Sequence, residues 1–229
     1  MKWLPRVLTV GFSLLVVTVA SCGSSWSATD LIKPGSCSPP CWRDITPGET
    51  HAEEAIQMLR SNPFVDSGSV QVFQISESLR DVGSSITWKG STGGSIAVTR
   101  DGVVSDIFIR GDLGNLPVDD VIALYGTPFV SLRASPDGPL RARFVLFLYY
   151  PELGIFLATH FDGPRQSDLV IPSQVSLDAV RYILPKEFYK TLVADPEYLT
   201  SWNGYRESSY YCRSSVSPEG VDSVCPPLK

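Results

Sequence analysis

Ile45-Thr46-Pro47-Gly48-Glu49-Thr50-His51-Ala52-Glu53-Glu54-Ala55-Ile56-Gln57-Met58-Leu59 has a partner further along, Leu116-Pro117-Val118-Asp119-Asp120-Val121-Ile122-Ala123-Leu124-Tyr125-Gly126-Thr127-Pro128, matched at a constant residue offset of 65 from Ile56 and Val121 onward. In the first stretch Thr50 and Glu53 have the spacing of a capping box, and Ala52, Ala55, Ile56 and Leu59 fall on one helical face. The helix is expected to end near Asn62-Pro63. In the second, Pro117 suits the first helical position, Asp119 and Asp120 complement the helix dipole, and Gly126 suits the position after the last turn. Laid over each other, Ile56 falls on Val121, Leu59 on Leu124, and Asn62-Pro63-Phe64-Val65 on Thr127-Pro128-Phe129-Val130.

Strands are expected after each helix. After the first come residues 69–75, 85–89 and 95–99, the last turning at Asp101-Gly102 into 103–110. Asp-Gly between alternating apolar runs is a hairpin signal. After the second, residues 140–150 turn at Pro151–Gly154 into 155–160. Residues 174–183 read as a strand by alternation of Val175, Leu177 and Ala179, and 186–193 as a short helix. These readings give an α+β fold of two tandem helix-plus-antiparallel-sheet units. Unit one covers 45–112 and unit two covers 113–193. An irregular tail rich in Ser, Tyr and Pro covers 194–229 and is tied by a disulfide.

The N-terminus is an address. Lys2 and Arg6 precede an apolar stretch over 7–20, a signal-peptide pattern too short for a comfortable membrane span. Val19-Ala20-Ser21-Cys22 has the form of a bacterial lipobox. That form implies removal of residues 1–21 and acylation of Cys22, which places the chain on the extracytoplasmic side of a bacterial membrane. Residues 22–44 are then a tether followed by a Cys- and Pro-rich arm.

The 229 residues carry 19 Lys+Arg against 24 Asp+Glu, a net charge of −5. Loss of residues 1–21 removes Lys2 and Arg6 and no acid, leaving −7. This balance is no footprint for nucleic acid, which asks for a basic stripe. With 43% hydrophobic and 19% charged residues the chain can bury a core.

Lipidation of Cys22 leaves Cys37, Cys41, Cys212 and Cys225, which outside the cytosol read as two disulfides. Three connectivities are open. Cys37–Cys41 with Cys212–Cys225 is favoured, since each closes a local loop. Zinc asks for four clustered ligands, and His51 and His160 are far in sequence from the one close Cys pair, so no metal or cofactor is expected.

No signature of a serine hydrolase, metalloprotease or phosphate-binding loop is present. Gly90-Ser91-Thr92-Gly93-Gly94 reads as a long hairpin turn. His160 beside Asp162 offers the one weak alternative, an envelope hydrolase, and it lacks a clustered nucleophile. The second hairpin departs from the expected alternation: Phe144-Val145-Leu146-Phe147-Leu148-Tyr149-Tyr150 and Ile155-Phe156-Leu157-Ala158 are apolar on both faces. Either another part of the chain covers the second face, or it is a surface for a partner. On the partner reading, Phe144, Leu146, Leu148, Tyr150, Phe156 and the tail's Trp202 are the binding candidates.

The lipobox, Gly48, Thr50, Ile56, Leu59 and Pro63 of the first stretch, and Val121, Tyr125, Gly126 and Pro128 of the second, resemble the SmpA/OmlA (BamE-like) family of envelope lipoproteins. The resemblance implies an assembly or accessory protein that binds an envelope protein without catalysis. The family has one unit and lacks the cysteines of the arm and tail. A tandem of such units is also similar to secreted β-lactamase-inhibitory proteins, which implies as an alternative an inhibitor of an extracellular hydrolase.

Overall fold

A computed structural model describes residues 32, 36–75, 82–111, 113, 116–137, 141–164, 170–192 and 199–211. Cys22, Cys212 and Cys225 lie outside them, as does most of the tail.

Nine strands are seen among the described residues: β1 (Gln71–Gln74), β2 (Val82–Trp88), β3 (Gly93–Thr99), β4 (Val104–Arg110), β5 (Phe129–Pro136), β6 (Arg141–Tyr150), β7 (Ile155–Pro164), β8 (Ala179–Ile183) and β9 (Thr200–Ser201). Helices are α1 (Ala52–Ser61), α2 (Val118–Tyr125), α3 (Pro185–Leu192) and the short α4 (Ser208–Tyr211). All strands join one antiparallel sheet in the order β1-β2-β3-β4-β8-β7-β6-β5-β9.

This corrects the expectation of two helix-plus-sheet units. The decisive contact is β4 with β8, where five residue pairs from Asp106↔Ile183 to Arg110↔Ala179 close the ladder. Hydrogen bonding therefore runs unbroken across the chain. The core is equally undivided: Ala55 and Leu59 of α1 and Val118 and Val121 of α2 join Ile86, Ile107, Leu146, Leu157 and Val180 in one cluster.

The proposed superposition of the helices also breaks down in packing. Leu59 is fully buried while Leu124 is 39% exposed. Phe64 is buried while Phe129 is 43% exposed. The shared spelling reflects helix starts and stops, which recur for local reasons. The helix ends agree with the sequence reading to within a residue or two, with Asn62 and Gly126 as the C-caps. The capping box does not form: His51 is the N-cap of α1, and the Thr50 hydroxyl accepts from the Thr46 amide at 2.8 Å. Strand β5 has no counterpart in the sequence reading.

Alternation decides which face is buried. Ile86, Ile96, Ile107, Ile109, Val180, Leu157, Leu148 and Val130 share the face that carries α1, α2 and the arm. The arm enters the same core through Ile32, Trp42 and Ile45, and Trp42 stacks on Trp88 at 5.6 Å. The Tyr125 hydroxyl donates to the Ile32 carbonyl at 2.5 Å and pins the arm to α2. Cys37 and Cys41 form a disulfide that closes a turn just before Trp42.

Candidate functional site

The other face of the sheet is only partly covered. Helix α3 lies over one end of it, where Phe188 is fully buried against Tyr149 and Ile183, with Phe147, Phe156 and Leu199 around them. This small second core explains why the β6–β7 hairpin is apolar on both sides. The Tyr149 phenol shares a hydrogen bond with the Ser131 hydroxyl at 3.0 Å, and burial pushes its pKa up.

Away from α3 the face is open. On strands β1 to β4 it presents Gln71, Phe73, Ser85, Thr87, Ser95, Ala97, Asp106, Phe108 and Arg110. Small side chains on β2 and β3 make a floor between taller walls. A groove of about 680 Å³ runs between the turn at Asp66–Ser69 and Phe108 and Arg110. A second hollow of about 340 Å³ continues it toward Asp106 and Arg181, sharing Ser95 and Phe108.

The open face is also charged differently from the rest. Register places Arg110, Arg133, Arg141, Arg143 and Arg181 on it, against Asp106 and Asp162. The helical side instead exposes Glu53 and Glu54 on α1 and Asp119 and Asp120 on α2. A chain of net charge −5 thus presents a cationic sheet face and an acidic helical face.

The sequence candidates are redistributed by this geometry. Phe144, Leu146, Leu148 and Tyr150 belong to the main core and offer no surface to a partner. They sit on the alternate side of β6 from Val145, Phe147 and Tyr149, and that side faces α1, α2 and the arm. Phe156 is on the other face but half-covered among Phe147, Tyr149 and α3. Trp202 stacks on Tyr211 at 5.4 Å and meets Tyr205 edge-on, as part of the cover over the main core. His160 and Asp162 do not pair. The His160 ring is 2.6 Å from Asp178 Oδ2, while Asp162 faces Arg143 at 3.5 Å and Arg141 at 3.9 Å. His51 is exposed at the start of α1.

The groove residues Lys89, Arg110, Gln71 and Phe108, and Phe73 beside them on β1, are not among the sequence candidates. Their signal was present in the alternation of 95–99 and 103–110, whose outward positions carry Phe108 and Arg110 among small polar residues.

Comparison with known proteins adds no kinship: no family model, no curated protein and no solved structure matches this chain.

Proposed function

We propose that this chain is a lipid-anchored extracytoplasmic protein whose open sheet face binds another envelope protein, without catalysis. The anchor reading rests on the lipobox at Val19–Cys22. Among the described residues, no helix is long and apolar enough to cross a membrane. The observation that carries the binding reading is the incomplete cover of the sheet. One face carries α1, α2 and the arm over β2 to β8, while the other leaves a groove on β2 to β4 with Phe73 half exposed beside it; β1 itself is exposed on both sides, Val72 as much as Phe73. An exposed aromatic next to a polar, cationic trough suits protein recognition better than solvation alone.

In-cell photo-cross-linking from Phe73 and Phe129, with Leu124 on the helical face as control, tests this reading. One envelope protein captured from the two sheet positions, and lost in a Cys22→Ser variant released from the membrane, is the expected result. Absence of protein adducts from both sheet positions would overturn it.

A further inference from the structure

The cations of the open face differ in how they are held. Arg181 is bound to Asp106, and Arg141 and Arg143 face Asp162. Arg133 lies over the Phe147 ring at 5.4 Å. Lys89 and Arg110 stand apart. Both line the 680 Å³ groove, both are exposed, and among the described residues neither has an ion-pair partner. The one acid of that groove is Asp66, whose Oδ1 accepts from the Gly68 amide at 3.1 Å.

We infer that the groove between β1 and β4 receives an acidic loop of a protein partner, with an Asp or Glu carboxylate held between Lys89 and Arg110. This deepens the binding reading above and rests on it. Two cations at the rim of a hollow give a carboxylate two charge-assisted donors, and Arg110 can engage it with both arms of its guanidinium. Gln71, Thr87 and Ser95 add donors and acceptors suited to a peptide backbone, and Phe108 supplies an apolar wall. A protruding loop fits a trough whose floor is Thr87, Gly94 and Ser95; a flat lipid surface does not reach that floor. Ile32, Trp42 and Ile45 of the arm pack on the opposite face of the sheet from the groove and leave it uncovered. The surplus positive charge of this face also attracts an acidic partner over a Debye length, about 8 Å at physiological salt.

The test is an NMR titration of the full mature chain with an oligoglutamate peptide, against an oligoglutamine peptide and vesicles of anionic lipid. The expected result is binding of oligoglutamate that weakens with salt, with amide shifts at Gln71, Thr87, Ser95 and Phe108. The double variant K89E/R110E should lose affinity about tenfold or more. R60E, on the exposed side of α1, should change it less than about twofold. Shifts centred on β5 to β7, equal binding by K89E/R110E, or tighter binding of anionic vesicles through the same two residues would overturn the inference. Cross-links from Phe129 without any from Phe73 would also overturn it while leaving the broader binding reading intact. Absence of adducts from both positions defeats that reading itself.

Discussion

Arg181 of β8 donates through its Nε to Asp106 of β4 at 2.6 Å, and its second guanidinium nitrogen reaches the same carboxylate oxygen. The two residues sit diagonally across the ladder that joins the β1–β4 meander to the rest of the sheet. Asp106 is largely buried and Arg181 half-buried. The pair therefore fastens the seam from the open side while Ile107 and Tyr182 close it from the core side.

Asp106→Ala should cost about 2 kcal/mol, the scale of a charge-assisted hydrogen bond discounted for the partial exposure of Arg181. Because the core is shared across the seam, urea unfolding should remain a single transition in wild type and variant, followed by fluorescence and circular dichroism together. Two separated transitions would show that the β4–β8 ladder does not couple the two parts.

Two glycines allow close approaches that no side chain could. At Gly94 an added Cβ would stand 2.5 Å from the Phe108 carbonyl oxygen and closer still to the Trp88 ring. At Gly154, where φ is +63°, it would collide with the Ile183 carbonyl oxygen. Gly94→Ala and Gly154→Ala should each destabilise by about 1–3 kcal/mol or prevent folding. Gly102→Ala, at φ +80° with open space around it, should cost only about 1 kcal/mol. A melting series in which Gly102→Ala is the worst of the three would contradict this packing.

Stability should fall at high pH. Burial pushes the Tyr125 phenol up to about 12, with the neighbouring Tyr182 hydroxyl pulling the other way, and burial holds Tyr182 well above its ordinary value. Folding thus favours the protonated phenols. Their contribution is complete below the ordinary phenol value of about 10 and is lost as pH rises through the folded values. Denaturation midpoints should be level between about pH 7 and 9 with respect to these groups and drop above about pH 10. Tyr125→Phe should lose about 1 kcal/mol at neutral pH, because the Ile32 carbonyl loses the shorter of its two hydroxyl donors and keeps only Tyr182 at 3.4 Å, and should show a shallower alkaline drop. An unchanged alkaline slope in Tyr125→Phe would contradict the assignment.

Local signals were legible from the residues: the stops at Asn62 and Gly126, the turns at Gly102 and Gly154, and the hairpin of β6 and β7. What joined those parts was not. The β4–β8 ladder links residues about 75 apart, and periodicity carries no information about which strand edge meets which. The same limit misplaced the binding candidates. Phe144, Leu146 and Leu148 are apolar and look available in the sequence, but only the position of α1, α2 and α3 decides which side of β6 is sealed. The spelling that Thr127-Pro128-Phe129-Val130 shares with Asn62-Pro63-Phe64-Val65 hides strand β5, which starts at Phe129 and runs on through Ser131–Ser135. The open face was overlooked since Ser85, Thr87 and Ser95 read as ordinary solvated strand positions until Lys89 and Arg110 stand beside them.

Occupancy of the open face in the envelope can be read directly by cysteine accessibility. Ser85→Cys and Ser95→Cys place single thiols on the floor of the face, and Leu124→Cys places one on the helical side. Each would be labelled with a hydrophilic maleimide in purified protein and in isolated envelopes, above the background of the native cysteines. A partner seated on the face predicts slower labelling of residues 85 and 95 in envelopes than in purified protein, with residue 124 labelled alike in both. Equal labelling of all three in the two settings would contradict the claim that this face is where the protein binds.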